Sequence, residues 1–161
     1  MEDIDVKINN FHKSIDDWLD ATKVNYGMQD LSEECYRVGV IMHFTEDDIK
    51  KLSFVDCQAA SFTLNKYVAY LNTVLSREKA VKQWAEQGIW YIVTGQKHNQ
   101  YAKWEEKYHN SIRGSKTGIK LQMLKTTAEF RILSIESQIK GLEHAMKVLE
   151  SIARSKSYER S

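Results

Sequence analysis

Apolar residues recur at three- and four-residue intervals almost from the first residues of this chain. Ile4, Ile8, Phe11, Ile15, Trp18 and Leu19 fall on one helical face, and Asn25-Tyr26-Gly27 supplies a stop, so a first short helix is predicted. Residues 28–43 predict a second short helix, although Val38-Gly39-Val40-Ile41-Met42 also reads as a brief buried strand. Thr45-Glu46-Asp47-Asp48 has the form of a capping box, in which a threonine hydroxyl accepts an orphan amide and the residue three further on bonds back. A helix is expected to start there. No strong breaker follows before Thr94-Gly95. Leu64, Leu71, Ala85 and Ile92 share one seven-residue lattice, with Val68, Leu75 and Ile89 beside it. This predicts one long helix from about Asp47 to Val93, kinked near Ser53, with Gly88 a weak point of about 1 kcal/mol relative to alanine.

Residues 95–118 gather the punctuation, Gly95, Asn99, Asn110-Ser111, Gly114-Ser115 and Gly118, and read as a loop with one helical turn around Lys103–Tyr108. From Ile119 the strongest periodicity of the sequence begins. Leu121, Ala128, Ile135, Leu142 and Leu149 repeat every seven residues, and Ile132, Ile139, Met146 and Ala153 fill the companion seam position, which is coiled-coil patterning. Glu129, Glu136, Glu143 and Glu150 flank the seam, and Lys140, Lys147 and Arg154 follow the last three at i+4, each pair adding about 0.2–0.5 kcal/mol. The seam, not this ladder, explains why the helix packs. An isolated pair of such helices cannot cover both seams and the aromatic positions Tyr67, Tyr70, Trp84, Trp90 and Tyr91. The N-terminal helices or neighbouring subunits are therefore expected to cover the rest, and a homo-oligomer is the natural expectation.

The fold class is accordingly all-α: two long amphipathic helices in a hairpin or coiled-coil-like bundle, with short N-terminal helices. An acidic helical segment (1–45) and the long hairpin with its basic loop (46–161) together make one domain. Composition agrees. The chain of 161 residues has no proline and only seven glycines, which favours uninterrupted helices over a sandwich or barrel. No run approaches the roughly 18 consecutive apolar residues of a membrane span, and Met1-Glu2-Asp3-Ile4-Asp5 lacks the character of a secretory signal. A cytoplasmic protein is expected. Cys35 and Cys57 match no metal-ligand spacing and read as reduced, mostly buried thiols.

Charge changes the picture more. Residues 1–60 hold thirteen acidic against six basic residues, a balance of −7, whereas residues 61–161 hold nine against seventeen, a balance of +8. A basic C-terminal two-thirds suits a polyanion. An acidic N-terminal part could mask it, contact a basic partner or aid solubility.

Candidate chemistry is sparse. Glu106-Lys107-Tyr108-His109 has the E-x-x-H spacing of di-iron bundles, but such a site needs a second copy and two inward glutamates, and the sequence offers neither. No metal or other cofactor is expected. His12, His43, His98 and His144 are isolated, no nucleophile constellation can be argued from spacing, and Gly95-Gln96-Lys97 and Gly114-Ser115-Lys116 lack the frame of a phosphate-binding loop. What remains is a stretch of cations interleaved with aromatics: Lys97, Tyr101, Lys103, Trp104, Lys107, Tyr108, Arg113, Lys116 and Lys120. Single-stranded nucleic acid is held by charges that track phosphates and by flat side chains on which bases stack, at roughly 1–3 kcal/mol per base. Tyr101, Trp104 and Tyr108, at i, i+3 and i+7, also fit the apolar face of a short helix that pins the loop to the bundle.

From Lys50 to Lys156 the sequence resembles the UvsY family of bacteriophage recombination mediators. The similarity lies in Tyr67-Val68-Ala69-Tyr70-Leu71-Asn72, the pair Trp90-Tyr91 shortly before Thr94-Gly95, the polar basic loop, Leu124-Lys125, and Leu149-Glu150-Ser151-Ile152 leading into Arg154-Ser155-Lys156. The resemblance implies an oligomer that binds single-stranded DNA, helps a RecA-like recombinase displace a single-strand-binding protein, and nucleates the recombinase filament. In that family basic residues just before the aromatic pair contribute to DNA contact. Here the stretch reads Ala85-Glu86-Gln87-Gly88-Ile89, and the nearby cations are Lys79 and Lys82. The resulting expectation is a non-enzymatic mediator that holds single-stranded DNA through the basic loop and adjoining helix faces. The rival is a structural or adaptor protein of a phage or cellular assembly, whose seams bind protein only.

Overall fold

The computed structural model describes residues 3–22 and 31–158, and among them forms six helices and no strand. The helices are α1 (Ile4–Thr22), α2 (Leu31–Met42), α3 (Glu46–Lys51), α4 (Phe54–Gly95), α5 (Trp104–Arg113) and α6 (Lys116–Tyr158). The expected all-α class with two long helices is what forms. The predicted stop at Asn25-Tyr26-Gly27 and the start of the second helix at Met28-Gln29-Asp30 lie outside the described residues.

Each boundary follows from local chemistry. In α2, Val38 is buried and Ile41 half-buried while Val40 and Met42 are exposed, a three-residue rhythm that selects helix over the alternating strand. The capping box at Thr45 forms: the Asp48 amide donates to Thr45 Oγ1 at 3.3 Å and the Thr45 amide to Asp48 Oδ2 at 2.9 Å. The long helix expected to run on from there is interrupted, because Ser53 and Asp56 repeat the same device. The Ser53 amide donates to Asp56 Oδ2 at 2.9 Å and the Asp56 amide to Ser53 Oγ at 3.1 Å, so the chain restarts a helix at Phe54 where a kink was expected. Lys156 closes the break by donating to the carbonyls of Lys50, at 3.0 Å, and Leu52. Between 95 and 118 more of the chain is helical than the punctuation suggested. α5 spans ten residues, and α6 opens at Lys116, where Ser115 Oγ accepts the Gly118 amide at 3.0 Å.

The described chain falls into two compact units, each drawing on both halves of the sequence. The first comprises Met1–Thr22 with Leu75–Ser134, the second Lys23–Val74 with Ile135–Ser161; α4 and α6 contribute to both. In the first unit α4 and α6 run antiparallel, with Glu78 near Arg131, Lys82 near Glu129 and Glu86 near Lys125. The core is Ala85, Ile89 and Val93 of α4, Ile112 of α5 and Leu121 of α6, flanked by Ile4, Trp84, Ile92, Tyr108 and Leu124. In the second unit the same two helices are again antiparallel: Cys57 and Ser61 share a shallow pocket with Ala153 and Glu150. α2 is tied to α4 there by Lys66–Glu34 at 3.2 Å and by the Cys35 thiol donating to the Tyr67 hydroxyl. Burial, then the Cys35 contact, pushes that hydroxyl up to about 12. Cys57 is buried as expected and Cys35 is exposed; both are free thiols.

The predicted α6 seam faces inward throughout. Leu121, Ala128, Ile139, Leu142, Leu149 and Ala153 are buried, and Ile132, Ile135 and Met146 half-buried. The charge ladder beside it is largely open. Among the described residues, Glu143 with Lys147, and Glu150 with Arg154, form no ion pair, since water solvates both ends as well as the pair would. Glu129 bonds across to Lys82, at 3.3 Å, instead of along its own helix toward the C-terminus. Among the described residues no helix is long and apolar enough to cross a membrane.

Gly88 is a notch for a neighbour and not merely a weak point of α4. A Cβ there would stand 2.8 Å from Leu121 Cδ1, whereas Gly141 on α6 has nothing within 4 Å of such an atom. Gly88→Val is therefore expected to lower stability by about 1–3 kcal/mol through overpacking, and Gly141→Ala to raise it by up to about 1 kcal/mol through helix propensity. Urea midpoints of the two variants check this; equal shifts of the same sign would refute the notch.

Candidate nucleic-acid interface

The predicted basic and aromatic residues converge on the first unit, where the chain passes from α4 through α5 into α6. His98 anchors the connection: its Nε2 donates to the Val93 carbonyl at 2.7 Å and lies 3.4 Å from the hydroxyl of buried Ser111. Asn99 then turns the chain, its side-chain oxygen accepting the Tyr101 amide at 3.1 Å, and Tyr101 stands 84% exposed. Trp104, at the first turn of α5, is half exposed. Tyr108 behaves differently, packing against the core and donating its hydroxyl to Gln122 Oε1. Of the two readings of these aromatics, the pinning role falls to Tyr108, while Tyr101 and Trp104 face solvent. At the end of α4, Trp90 and Tyr91 are also exposed and meet edge to face at 5.3 Å.

The predicted cations sort by their partners. Lys97, Lys103, Arg113 and Lys116 are exposed and Lys107 half-exposed, and none of the five has an ionic partner among the described residues. Lys82 is held 3.8 Å from Glu86 and 3.3 Å from Glu129, in a lattice that Lys125 completes. Lys120 donates to Asp5 of α1. Lys79 stands exposed on α4, one turn before Lys82. Glu105 and Glu106 share the first turn of α5 with the cations, and Glu106 and His109 are exposed. Among the described residues no three His, Cys, Asp or Glu side chains gather as a metal site would require.

A second polar cluster lies where α1 crosses α4 and α6. Arg77 makes a two-pronged bond to Asp16, Nε to Oδ1 at 2.7 Å and Nη2 to Oδ2 at 2.9 Å. Beside it Glu78 is only 4% exposed, with Oε1 at 3.5 Å from both Arg77 and Arg131 and Oε2 without a hydrogen-bond partner. His12 Nδ1 is likewise buried and unpartnered. Nearly two turns of α4 away from this cluster, toward its C-terminus, Phe11 lies flat on Trp84, rings 4.9 Å apart and 14° from parallel. The sequence did carry a signal for the cluster, because position 78 belongs to the lattice of Leu64, Leu71 and Ala85 yet holds a carboxylate. Arg77 and Asp16 left no such mark, since their pairing joins segments 61 residues apart.

No family model matches the chain, and no curated protein or solved structure shows significant similarity to it.

The cluster makes the seating of α1 sensitive to pH. Burial, aided by Arg77 and Arg131 and opposed by Asp16 and Glu78, holds the His12 imidazole below its usual range; the bond from Arg77 holds the Asp16 carboxyl below its own. Neutral His12 is the form the fold prefers, so its contribution is full above about 6.5 and is lost as pH falls below that value. Asp16 contributes above about 3.9, and that contribution is lost on further acidification. Amide-exchange protection over residues 4–22 is expected to drop between about pH 7 and pH 5, while that over 116–134 holds, and His12→Phe is expected to remove the step. Equal losses in both segments would count against it.

Proposed function

We propose that this chain is a non-enzymatic mediator protein that binds single-stranded DNA as an oligomer and helps load a RecA-like recombinase in place of a single-strand-binding protein. One observation carries the DNA-binding part: the connection between α4 and α6 presents five cations without ionic partners among the described residues, beside the outward rings of Tyr101 and Trp104. Unpartnered lysines and arginines release counterions from a phosphate backbone without first breaking a bond of their own, and exposed rings offer any base a stacking face. The recombinase part rests on the likeness of residues 50–156 to the UvsY family. Exposed Ile119, Met123, Phe130 and Leu133 on α6 give the oligomer its apolar contact surface, and several weak sites on one assembly would bind a long strand through effective concentration.

The same apolar residues favour a second reading, a structural or adaptor protein that makes protein contacts alone. Binding of oligo-dT by fluorescence anisotropy across a salt series separates the two. Affinity is expected to fall steeply with salt. Neutralising Lys97, Lys103 and Arg113 to glutamine should reduce the log–log slope by about 2, at roughly 0.7 for each phosphate of a single strand that is no longer neutralised. Trp104→Ala should weaken binding by about 1–3 kcal/mol. Absence of binding to a long single strand at low salt would leave the adaptor reading standing.

A further inference from the structure

We infer that the face of the first unit beneath α1 is a second binding site for single-stranded DNA, and that α1 occupies it as an internal stand-in for the strand. The inference rests on the single-strand reading given above. Three contacts of α1 reproduce what a strand offers. The Asp16 carboxylate takes the two-pronged bond of Arg77 as a phosphate would, the Asp5 carboxylate takes Lys120, and between them the ring of Phe11 lies flat on Trp84 as a base would. Asp5 and Asp16 are separated by about 16 Å along a helix, the reach of a few nucleotides.

The seating of α1 suits displacement. None of residues 3–21 is fully buried; Ile4, Ile8, Phe11, Ile15 and Leu19 are each only half covered. By contrast α4 and α6 hold each other through side chains such as Ala85, Ala128 and Leu121 that are almost wholly enclosed. Local opening draws on segments with few buried apolar contacts, and α1 is such a segment. Lifting it would free Arg77 and Lys120 and uncover Trp84, with the already exposed Arg131 beside them. Glu78 shares this face, but both arginines already neutralise it at 3.5 Å, leaving the uncovered surface with a net positive charge. α1 also returns cost to the fold, since His12 Nδ1 and Glu78 Oε2 are buried without partners while it is docked.

The test compares Asp5→Asn/Asp16→Asn with Asp17→Asn/Asp20→Asn, which makes the same change of charge on α1 at exposed positions that touch neither Arg77 nor Lys120. Oligo-dT binding is measured for both and for the parent chain across a salt series. The first variant is expected to bind about tenfold tighter at low salt, with a log–log slope steeper by about 1.4 for two freed cations. Adding Arg77→Gln should cancel about half of the gain in slope, roughly 0.7. Because Phe11 alone could keep α1 seated, Asp5→Asn/Phe11→Ser/Asp16→Asn is the second variant, and helicity by circular dichroism reports that it is folded. In the parent chain, saturating oligo-dT should speed amide exchange over residues 4–22. Affinities of both the Asp5/Asp16 variant and the triple variant equal to that of the Asp17/Asp20 control, or α1 exchange unmoved by oligo-dT, would overturn the inference while leaving the connection between α4 and α6 as a binding site. Loss of binding in every chain, the parent included, would overturn the single-strand reading itself and this inference with it.

Discussion

Two helices of 42 and 43 residues cannot stand alone in water, and the need of α4 and α6 to cover each other's apolar stripes governs the rest of this molecule. Each fully buried leucine or isoleucine of the seam is worth roughly 1.5–3 kcal/mol, against about 0–1 kcal/mol for an exposed ion pair, so packing and not the charge lattice sets the pairing. What the hairpin leaves half covered then decides where the short helices go. In the first unit, Trp84, Ile92 and Leu124 flank the core together with Ile4 of α1 and Tyr108 of α5. In the second unit, α2 lies along α4 through Lys66 and Tyr67.

How much of this is legible in the sequence depends on whether a residue's role is set by its neighbours along the chain or by distant ones. The α6 seam is legible in full, because a seven-residue repeat has one helical interpretation, and the Thr45 box because both its members sit within one turn. The Ser53–Asp56 box is just as local, and its pattern is in the sequence. It is masked because the apolar lattice continues on both sides of it, and a lattice does not reveal that the backbone between two stretches has restarted. The connection looks like a loop because Asn110, Ser111, Gly114 and Ser115 are poor helix formers. Tertiary contact reverses that expectation: Ser111 is buried beside His98, and Ser115 caps α6. Propensity makes Gly88 a weak point, and its actual role depends on Leu121, 33 positions away, which no local rule can reach.

The candidate site divides along the same line. That Lys97, Lys103 and Arg113 sit beside Tyr101 and Trp104 follows from sequence proximity alone. Which cations are engaged depends on long-range pairing, and so residues alike in sequence turn out to be of different kinds. Glu78 is the instructive case. A carboxylate in a packing lattice is costly to bury and is tolerated here because two guanidinium groups flank one oxygen. It marks the place on α4 where a cationic partner had to arrive, without saying that one would come from α6, at Arg131.

Partner rigidity therefore ranks the cations of the first unit better than their exposure does. Lys82 and Lys125 bond to carboxylates carried by α4 and α6, whose separation is fixed by an enclosed core, so withdrawing either cation means breaking a bond whose other half cannot follow. Arg77 and Lys120 bond to carboxylates on α1, which is only half covered, so there the partner can leave and the cation stay. The cations of the connection have no ionic bond among the described residues to give up. An anion approaching this unit meets three different resistances, and the order in which the cations yield is set by how deeply the helix carrying each carboxylate is buried.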